Sequence, residues 1–294
     1  MRLAFLGTPE PALPSLRALV DGGHDVAIVI TRPDARRGRG GEPSASPVKT
    51  LALELGLQVA HHARDIEGLD VERGVVVAYG SLIRADLLER TPMLNVHFSL
   101  LPRWRGAAPV ERAILAGDDS TGVSVMSLEA TLDTGPVHLV RRLEVGEKRA
   151  SELSAELAEL GADALLEVLA SPQLLAHPQA QRGEATYAEK LTSETYHLVP
   201  AMSEVVMLRT VRLERAFTYI DGRRLRVVRA HARASNDASF AAAGSLRHVD
   251  GAVVLVGEDG AIGLDDVQPE GARVMTAAAW WAGARLDVAT TRWS

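Results

Sequence analysis

The sequence predicts an α/β domain built on a mostly parallel sheet, followed by a small β-barrel. Over the first half, short runs of β-branched and aliphatic residues alternate with amphipathic helical stretches, as in a parallel sheet covered on both faces. Beyond about residue 199 the runs shorten and are punctuated by Asp-Gly turns, which signal antiparallel hairpins. The 294 residues suffice for two domains of roughly 100–200 residues each.

Arg2–Leu6 reads as a strand stopped at Gly7, and Pro11–Val20 as a helix with Leu13, Leu16, Leu19 and Val20 at helical spacing before Asp21-Gly22-Gly23. Val26–Ile30 is a second strand. Residues 31–47 hold three prolines and three glycines and predict a long loop. Val48–Leu55 is a helix ended by Gly56, and Val75–Ala78, Leu94–Phe98 and Val123–Leu128 are further buried strands. Ser151–Leu169 carries Leu153, Leu157, Leu160, Ala164, Leu165 and Val168 on one helical face. Ser171–Thr186, rich in Pro, Gln and Ala, loses periodicity and with Tyr187–Thr195 reads as a linker. Phe217–Ile220, Leu225–Arg229, Val253–Val256 and Ile262–Leu264 are short strands, with Asp221-Gly222 and Asp250-Gly251 as turns. The expected architecture is a Rossmann-like sheet flanked by helices over 1–183, a linker over 184–198, and an OB-like barrel over 199–294.

Composition narrows the function. Hydrophobic residues make up 47% and charged residues 24%, the balance of a globular protein. A net charge of -6 speaks against coating nucleic acid over the whole surface, though a local basic patch depends on where the charge sits. The absence of cysteine excludes a disulfide scaffold, a thiolate nucleophile and a cysteine metal site. The N-terminal apolar run is too short for a signal peptide, and no run reaches the ~20 residues of a membrane span. A soluble, cytoplasmic protein without membrane contact is expected, acting as a monomer.

Ligands of parallel sheets bind outside the carboxyl ends of the strands, which directs attention to Gly7–Glu10, Tyr79–Leu82, Ser99–Arg105 and Leu132–Gly135. Asn95 and His97, two apart on a strand, share a face. A carboxamide can donate to a carbonyl oxygen becoming an oxyanion, and an imidazole can move a proton. A lone histidine on a strand is more often a satisfied structural residue, so the pair alone decides nothing. Asp133, in Leu132-Asp133-Thr134-Gly135, could orient His97 or accept a proton; alone it also fits an ordinary Asp turn. No metal-ligand spacing occurs, since His61 and His62 are adjacent and no His-Glu-x-x-His is present. Gly-x-Gly-x-x-Gly and Walker loops are absent as well.

Taken together, these residues resemble the folate-dependent formyltransferases. Phe5–Glu10, Ser46–Lys49, Val77–Gly80, the block Asn95–Pro109, Leu132–Gly135 and Thr186–Leu191 carry the likeness, spread over about two thirds of the chain. Asn-x-His, Ser-Leu-Leu-Pro, Arg-Gly-x-x-Pro and a later Leu-Asp-x-Gly form a specific ordered set. The resemblance implies that Asn95, His97 and Asp133 are catalytic. It also implies that Val77, Ala78, Tyr79 and Gly80, with Ser99, Leu100, Leu101 and Pro102, line a pocket for 10-formyltetrahydrofolate, and that no metal is needed.

The resemblance is closest to members acting on initiator tRNA carrying methionine, in which a basic loop after the second strand enters the acceptor arm and a C-terminal barrel holds the tRNA. It places Arg32, Arg36, Arg37, Arg39 and Lys49 at that acceptor. Arg209–Arg233, with eight arginines, is a second candidate for phosphate contact. The chain also departs from that pattern: Gly41, Glu42 and Pro43 follow the loop's Gly-Arg-Gly, an Asp-Trp after the linker is absent, and Thr131 replaces a glycine. A formyltransferase for a small amine, such as an amino sugar, is therefore the alternative, and an inactive folate-binding homologue a third.

Overall fold

The computed structural model describes residues 1–36, 42–233, 242–286 and 291–294; Arg37 and Arg39 lie outside the described residues. Two compact units make up the chain. Met1–Ala113, Asp119–Gly146 and Glu152–Lys190 form the first, and Ile114–Asp118, Glu147–Ser151 and Leu191–Ser294 the second.

The first unit contains β1 (Arg2–Gly7), α1 (Leu13–Asp21), β2 (Asp25–Ile30), β3 (Ala35–Arg36), β4 (Pro43–Ser44), α2 (Pro47–Glu54), β5 (Val59–Ala60), β6 (Arg73–Val77), α3 (Ala85–Arg90) and β7 (Met93–His97). It continues through β8 (Arg105–Gly106), α4 (Pro109–Ala116), β9 (Ser120–Ser127), β10 (Val137–Glu144), α5 (Ala150–Ala170), α6 (Pro172–Ala176) and β11 (Tyr187–Ala188). Seven strands form one sheet in the order β10-β9-β7-β6-β1-β2-β5. The pairs from β5 to β7 are parallel, whereas β9 runs antiparallel to both β7 and β10. The chain leaves β1 toward β2 on one side and returns to β6 on the other. The carboxyl ends of β1 and β6 therefore flank a topological switch point, where such sheets take ligands.

Alternation along the strands sorts two cores. Ala4, Leu6, Ile28, Ile30, Val76 and Met93 pack on one face with Ile66, Tyr79 and Leu87. On the other, α5 lies close against the sheet because residue 161 is glycine. A Cβ there would stand 2.7 Å from Val96 Cγ1, closer than side chains tolerate, so any larger residue would lift the helix off.

The second unit contains α7 (Glu204–Arg212), β12 (Phe217–Ile220), β13 (Arg223–Arg233), β14 (Leu246–Val249), β15 (Ala252–Val256), β16 (Ala261–Pro269), β17 (Met275–Thr276) and α8 (Ala277–Ala284). Its antiparallel sheet runs β12-β13-β16-β15-β14, with β17 on β16. Both Asp-Gly pairs are hairpin turns with positive φ at each residue: Asp221 46°, Gly222 74°, Asp250 51° and Gly251 78°, as a two-residue primed turn requires. The C-terminal residues join the open edges of this sheet. Trp293 bridges Ile220 beside β12, and Arg292 bridges Ser245 before β14, covering strand edges that would otherwise be free. Trp293 is buried in the core, and its indole N–H donates to the Val256 carbonyl at 3.2 Å.

Two strands that periodicity does not reveal, β5 and β10, lie at the sheet's edges. β10 carries Val140, Arg142 and Glu144 on alternate exposed positions, and its charged residues deny it the continuous apolar run of an interior strand. The aperiodic stretch after α5 is ordered by one local cap and by pairing with distant segments. Ser171 caps α6, accepting from Leu174 N at 3.2 Å; Gln179 bridges Val137; and Tyr187–Ala188 pairs with Arg105–Gly106.

Candidate active site

The carboxyl end of β7 carries Asn95 and His97 on the same face, opposite Met126 and Ser124 of β9, and Asn95 also lies opposite Val76 of β6. Both are more than nine-tenths buried, as is Asp133, which arrives on the loop between β9 and β10. His97 Nδ1 lies 3.7 Å from Asp133 Oδ2, so the three sequence-predicted residues divide into a strand pair and a facing carboxylate. Asn95 keeps 9% of its surface exposed at this edge, and a carboxamide N–H there can donate to a ligand oxygen.

The hydrogen bond that orients the histidine ring runs to the main chain. The ring's Nε2 lies 2.8 Å from the Trp104 carbonyl, and a carbonyl can only accept, so Nε2–H is the donor; in the neutral tautomer this bond selects, the lone pair is on Nδ1. At 3.7 Å the carboxylate is beyond hydrogen-bond reach of that nitrogen, but close enough to attract a proton placed there. Asp133 Oδ2 instead accepts from Gly106 N at 2.8 Å. Gly106 has φ 121°, and a Cβ on it would meet the Ala188 carbonyl at 2.7 Å, so this position admits only glycine. Among the described residues of the first unit, the non-glycine residues at positive φ are Ala78 (47°), Trp104 (62°) and Asp133 (50°). Such conformations cost about 1–3 kcal/mol each and persist where surroundings over-determine them; here they lie at the carboxyl edge of the sheet.

Those surroundings were not legible as functional residues. Thr186 receives Trp104 N on its hydroxyl at 2.9 Å and Arg105 N on its carbonyl at 2.9 Å. Gln181 donates to the carbonyls of Asp133 and Gly135, each at 2.8 Å, and accepts from Arg105 Nε and Nη2 at 3.0 and 2.6 Å. The only sequence signal was Thr186 at the head of the Thr-Tyr-Ala-Glu-Lys-Leu match; a main-chain carbonyl such as that of Trp104 leaves none.

Two segments flank this centre. In Ser99–Pro102, the buried Ser99 hydroxyl donates to the Arg103 carbonyl at 2.6 Å, and Ser124 Oγ joins Ser99 O at 2.7 Å to Leu101 N at 3.1 Å. The Leu101–Pro102 peptide is cis. Ser99 thus shapes the turn, while Leu100, Leu101 and Pro102 remain half-buried. In Val77–Gly80, Thr8 Oγ1 donates to Tyr79 O at 3.2 Å and Arg32 Nη2 to Gly80 O at 3.2 Å. A cleft of about 490 Å³ opens beside this turn, lined among others by Arg32, His61, His62, Tyr79, Leu82 and Arg84. Burial pushes the Tyr79 phenol above its ordinary pKa, an effect the Arg32 charge offsets in part. Among the described residues no group of three or more His, Cys, Asp or Glu could hold a metal ion, and no helix is long and apolar enough to cross a membrane.

Of the basic residues predicted at the acceptor, Arg36 is exposed in β3, whereas the Lys49 ammonium is bound by both oxygens of Asp34 at 2.7 and 2.8 Å. The arginines of 209–233 do not form an unpaired patch. Arg229 pairs with Asp266 and Arg233 with Asp250. Arg226 donates to the Glu214 carbonyl, and Arg215 and Arg224 lie over the rings of Tyr196 and Phe217. A phosphate would have to share these cations with partners they already hold.

Comparison with known proteins identifies the family. Residues 1–169 match the family described as Formyl transferase, and residues 207–285 match Formyl transferase, C-terminal domain. A methionyl-tRNA formyltransferase of Heliobacterium modesticaldum is 39% identical over 309 residues, covering 97% of this chain and 98% of that protein. One from Mycobacteroides abscessus is 42% identical, covering 98% of each. Among solved structures, an N-formyltransferase from Helicobacter canadensis, determined with folinic acid and dTDP-3-aminofucose, shares the fold with a TM-score of 0.68 at 14% identity, covering 91% of this chain and 98% of that one.

Proposed function

Because the chain belongs to the formyl transferase family, we propose that it moves the formyl group of 10-formyltetrahydrofolate to the α-amino group of methionyl initiator tRNA, in the cytoplasm. The observation that carries the chemistry is an Asn95 carboxamide on the same strand face as His97, whose Nδ1 lies 3.7 Å from the Asp133 carboxylate. Attack of the amine nitrogen on the formyl carbon forms a C–N bond and turns the carbonyl oxygen into an oxyanion, which Asn95 stabilises by donation. The attacking nitrogen sheds a proton to His97 Nδ1, and Asp133 stabilises the resulting imidazolium. Collapse of the tetrahedral centre breaks the bond to N10 of the folate, which takes up a proton and leaves as tetrahydrofolate. The folate lies along Val77–Gly80, which follows β6, and Leu100–Pro102, which follows the neighbouring β7.

The acceptor rests on the relatives of about 40% identity that cover nearly the whole chain and are named methionyl-tRNA formyltransferase. The sugar-nucleotide ligand of the Helicobacter canadensis enzyme carries no comparable weight, since 14% identity speaks to the fold alone. We therefore place a small amine second, and an inactive homologue last because Asn95, His97 and Asp133 are all present. On this reading the exposed Arg36, with Arg32, meets acceptor phosphates, and Lys49 joins only by exchanging Asp34. Incubating the purified protein with 10-formyltetrahydrofolate and either charged initiator tRNA or an amino-sugar nucleotide, while following tetrahydrofolate release, tests the proposal. Release that depends on the tRNA is expected; release with the sugar nucleotide alone would sink it.

A further inference from the structure

We propose that Gln181 is a positioning residue for Asp133, an inference that rests on the catalytic reading of Asp133 above. The amide of Gln181 is fully used. Its two N–H groups go to the carbonyls of Asp133 and Gly135, and its oxygen receives two N–H groups from Arg105. Arg105 and Gly106 make up β8, and Gly106 N is the donor that holds the Asp133 carboxylate. Gln181 thus closes a ring: it grips the main chain that carries Asp133 and, through Arg105, the strand that carries Asp133's own partner. Both ends of its segment are pinned. Gln179 and Val137 exchange two backbone hydrogen bonds of 2.8 Å each, and Thr186 is bonded to Trp104 and Arg105.

An amide is the side chain this ring requires. It must donate twice to carbonyls and accept from a guanidinium, and neither a carboxylate, a cation nor an apolar chain offers both. Asp133 sits at φ 50°, a conformation it keeps only while its surroundings hold it. Loss of the two bonds to the loop lets the carboxylate move away from His97, and misplacement by about 1 Å is enough to cost about 100-fold in rate.

The test compares Gln181→Met, Gln181→Glu and Asp133→Asn with the parent, in the full-length protein, using 10-formyltetrahydrofolate and charged initiator tRNA. Folding is checked by circular dichroism and rates are expressed per folded enzyme. Gln181→Met should lose about 10- to 100-fold in kcat with KM for both substrates within about threefold. Gln181→Glu should be impaired at neutral pH but recover relative to the parent as the pH falls, because the introduced carboxyl regains a donor once protonated; Gln181→Met should show no such recovery. A folded Gln181→Met with kcat within about twofold of the parent beside an inactive Asp133→Asn overturns this inference alone. Equal pH dependence of Gln181→Glu and parent, with normal rate per folded enzyme, also overturns it and leaves Gln181 a structural tie. An active Asp133→Asn overturns the reading of Asp133 and this inference with it.

Discussion

Replacing Asp133 by asparagine removes a charge while leaving an oxygen that can still accept from Gly106 N. The charge lies 3.7 Å from the nitrogen of His97 proposed to take the proton, with both side chains almost wholly buried. At an effective dielectric of about 20, two unit charges at that separation attract by about 4 kcal/mol. That attraction exists only once the imidazole is protonated, so it lowers the barrier without tightening the ground state. At about 1.4 kcal/mol per decade, its loss slows transfer by about three orders of magnitude. Stability should change little, since the hydrogen bond to Gly106 survives. Single-turnover formyl transfer at saturating folate and tRNA, with thermal unfolding recorded in parallel, measures both quantities. A folded Asp133→Asn enzyme within about tenfold of the parent rate would refute the reasoning, because the carboxylate charge would then contribute less than about 1.4 kcal/mol.

Two further expectations concern stability. Trp293→Ala empties a core position and removes the indole's hydrogen bond to the Val256 carbonyl, and should cost the second unit about 3–5 kcal/mol; amide exchange of β15 and β16 reports this, and a loss under about 1 kcal/mol would contradict it. His138 is buried between Ser127 Oγ and the Leu174 carbonyl, each at 2.8 Å. Burial, reinforced by the Arg73 charge, pushes its pKa below the ordinary 6.5. The folded protein therefore keeps this ring neutral while the unfolded chain protonates it, so stability is complete above about pH 6.5 and falls as the pH drops below it. In His138→Gln the drop in Tm between about pH 7 and about pH 5 should be shallower than in the parent; an identical slope would remove His138 from the acid response.

The parts of this site that were legible in the sequence are those fixed by local geometry. Asn95 and His97 must share a face because a strand alternates, and the carboxyl end of β7 must be the ligand edge because the sheet is parallel there. The turns at Asp221-Gly222 and Asp250-Gly251 were legible for the same reason, as short-range conformational demands. What escaped depended on distance along the chain. Gln181 meets Asp133 across 48 residues and Arg105 across 76, from a stretch with no hydrophobic period. The antiparallel sense of β9 depends on how the chain returns after α4, which no pattern within β9 encodes. The partner of His97 Nε2 is a main-chain carbonyl, present at every residue and distinguished only by the fold. The arginines of 209–233 show the converse: composition suggests a phosphate-facing patch, but Asp250, Asp266 and the Glu214 carbonyl already occupy several of them.

The central claim is that the pair on β7, facing Asp133, performs the transfer. Its most direct measurement follows labelled formyl from 10-formyltetrahydrofolate to the amine of methionyl initiator tRNA in a single turnover, comparing the parent with Asn95→Ala and His97→Ala. Label should reach the amine in the parent one-for-one with tetrahydrofolate formed, and each folded variant should be slower by about two or more orders of magnitude. Parent-like transfer in either variant, or tetrahydrofolate formed without label on the amine, would contradict it.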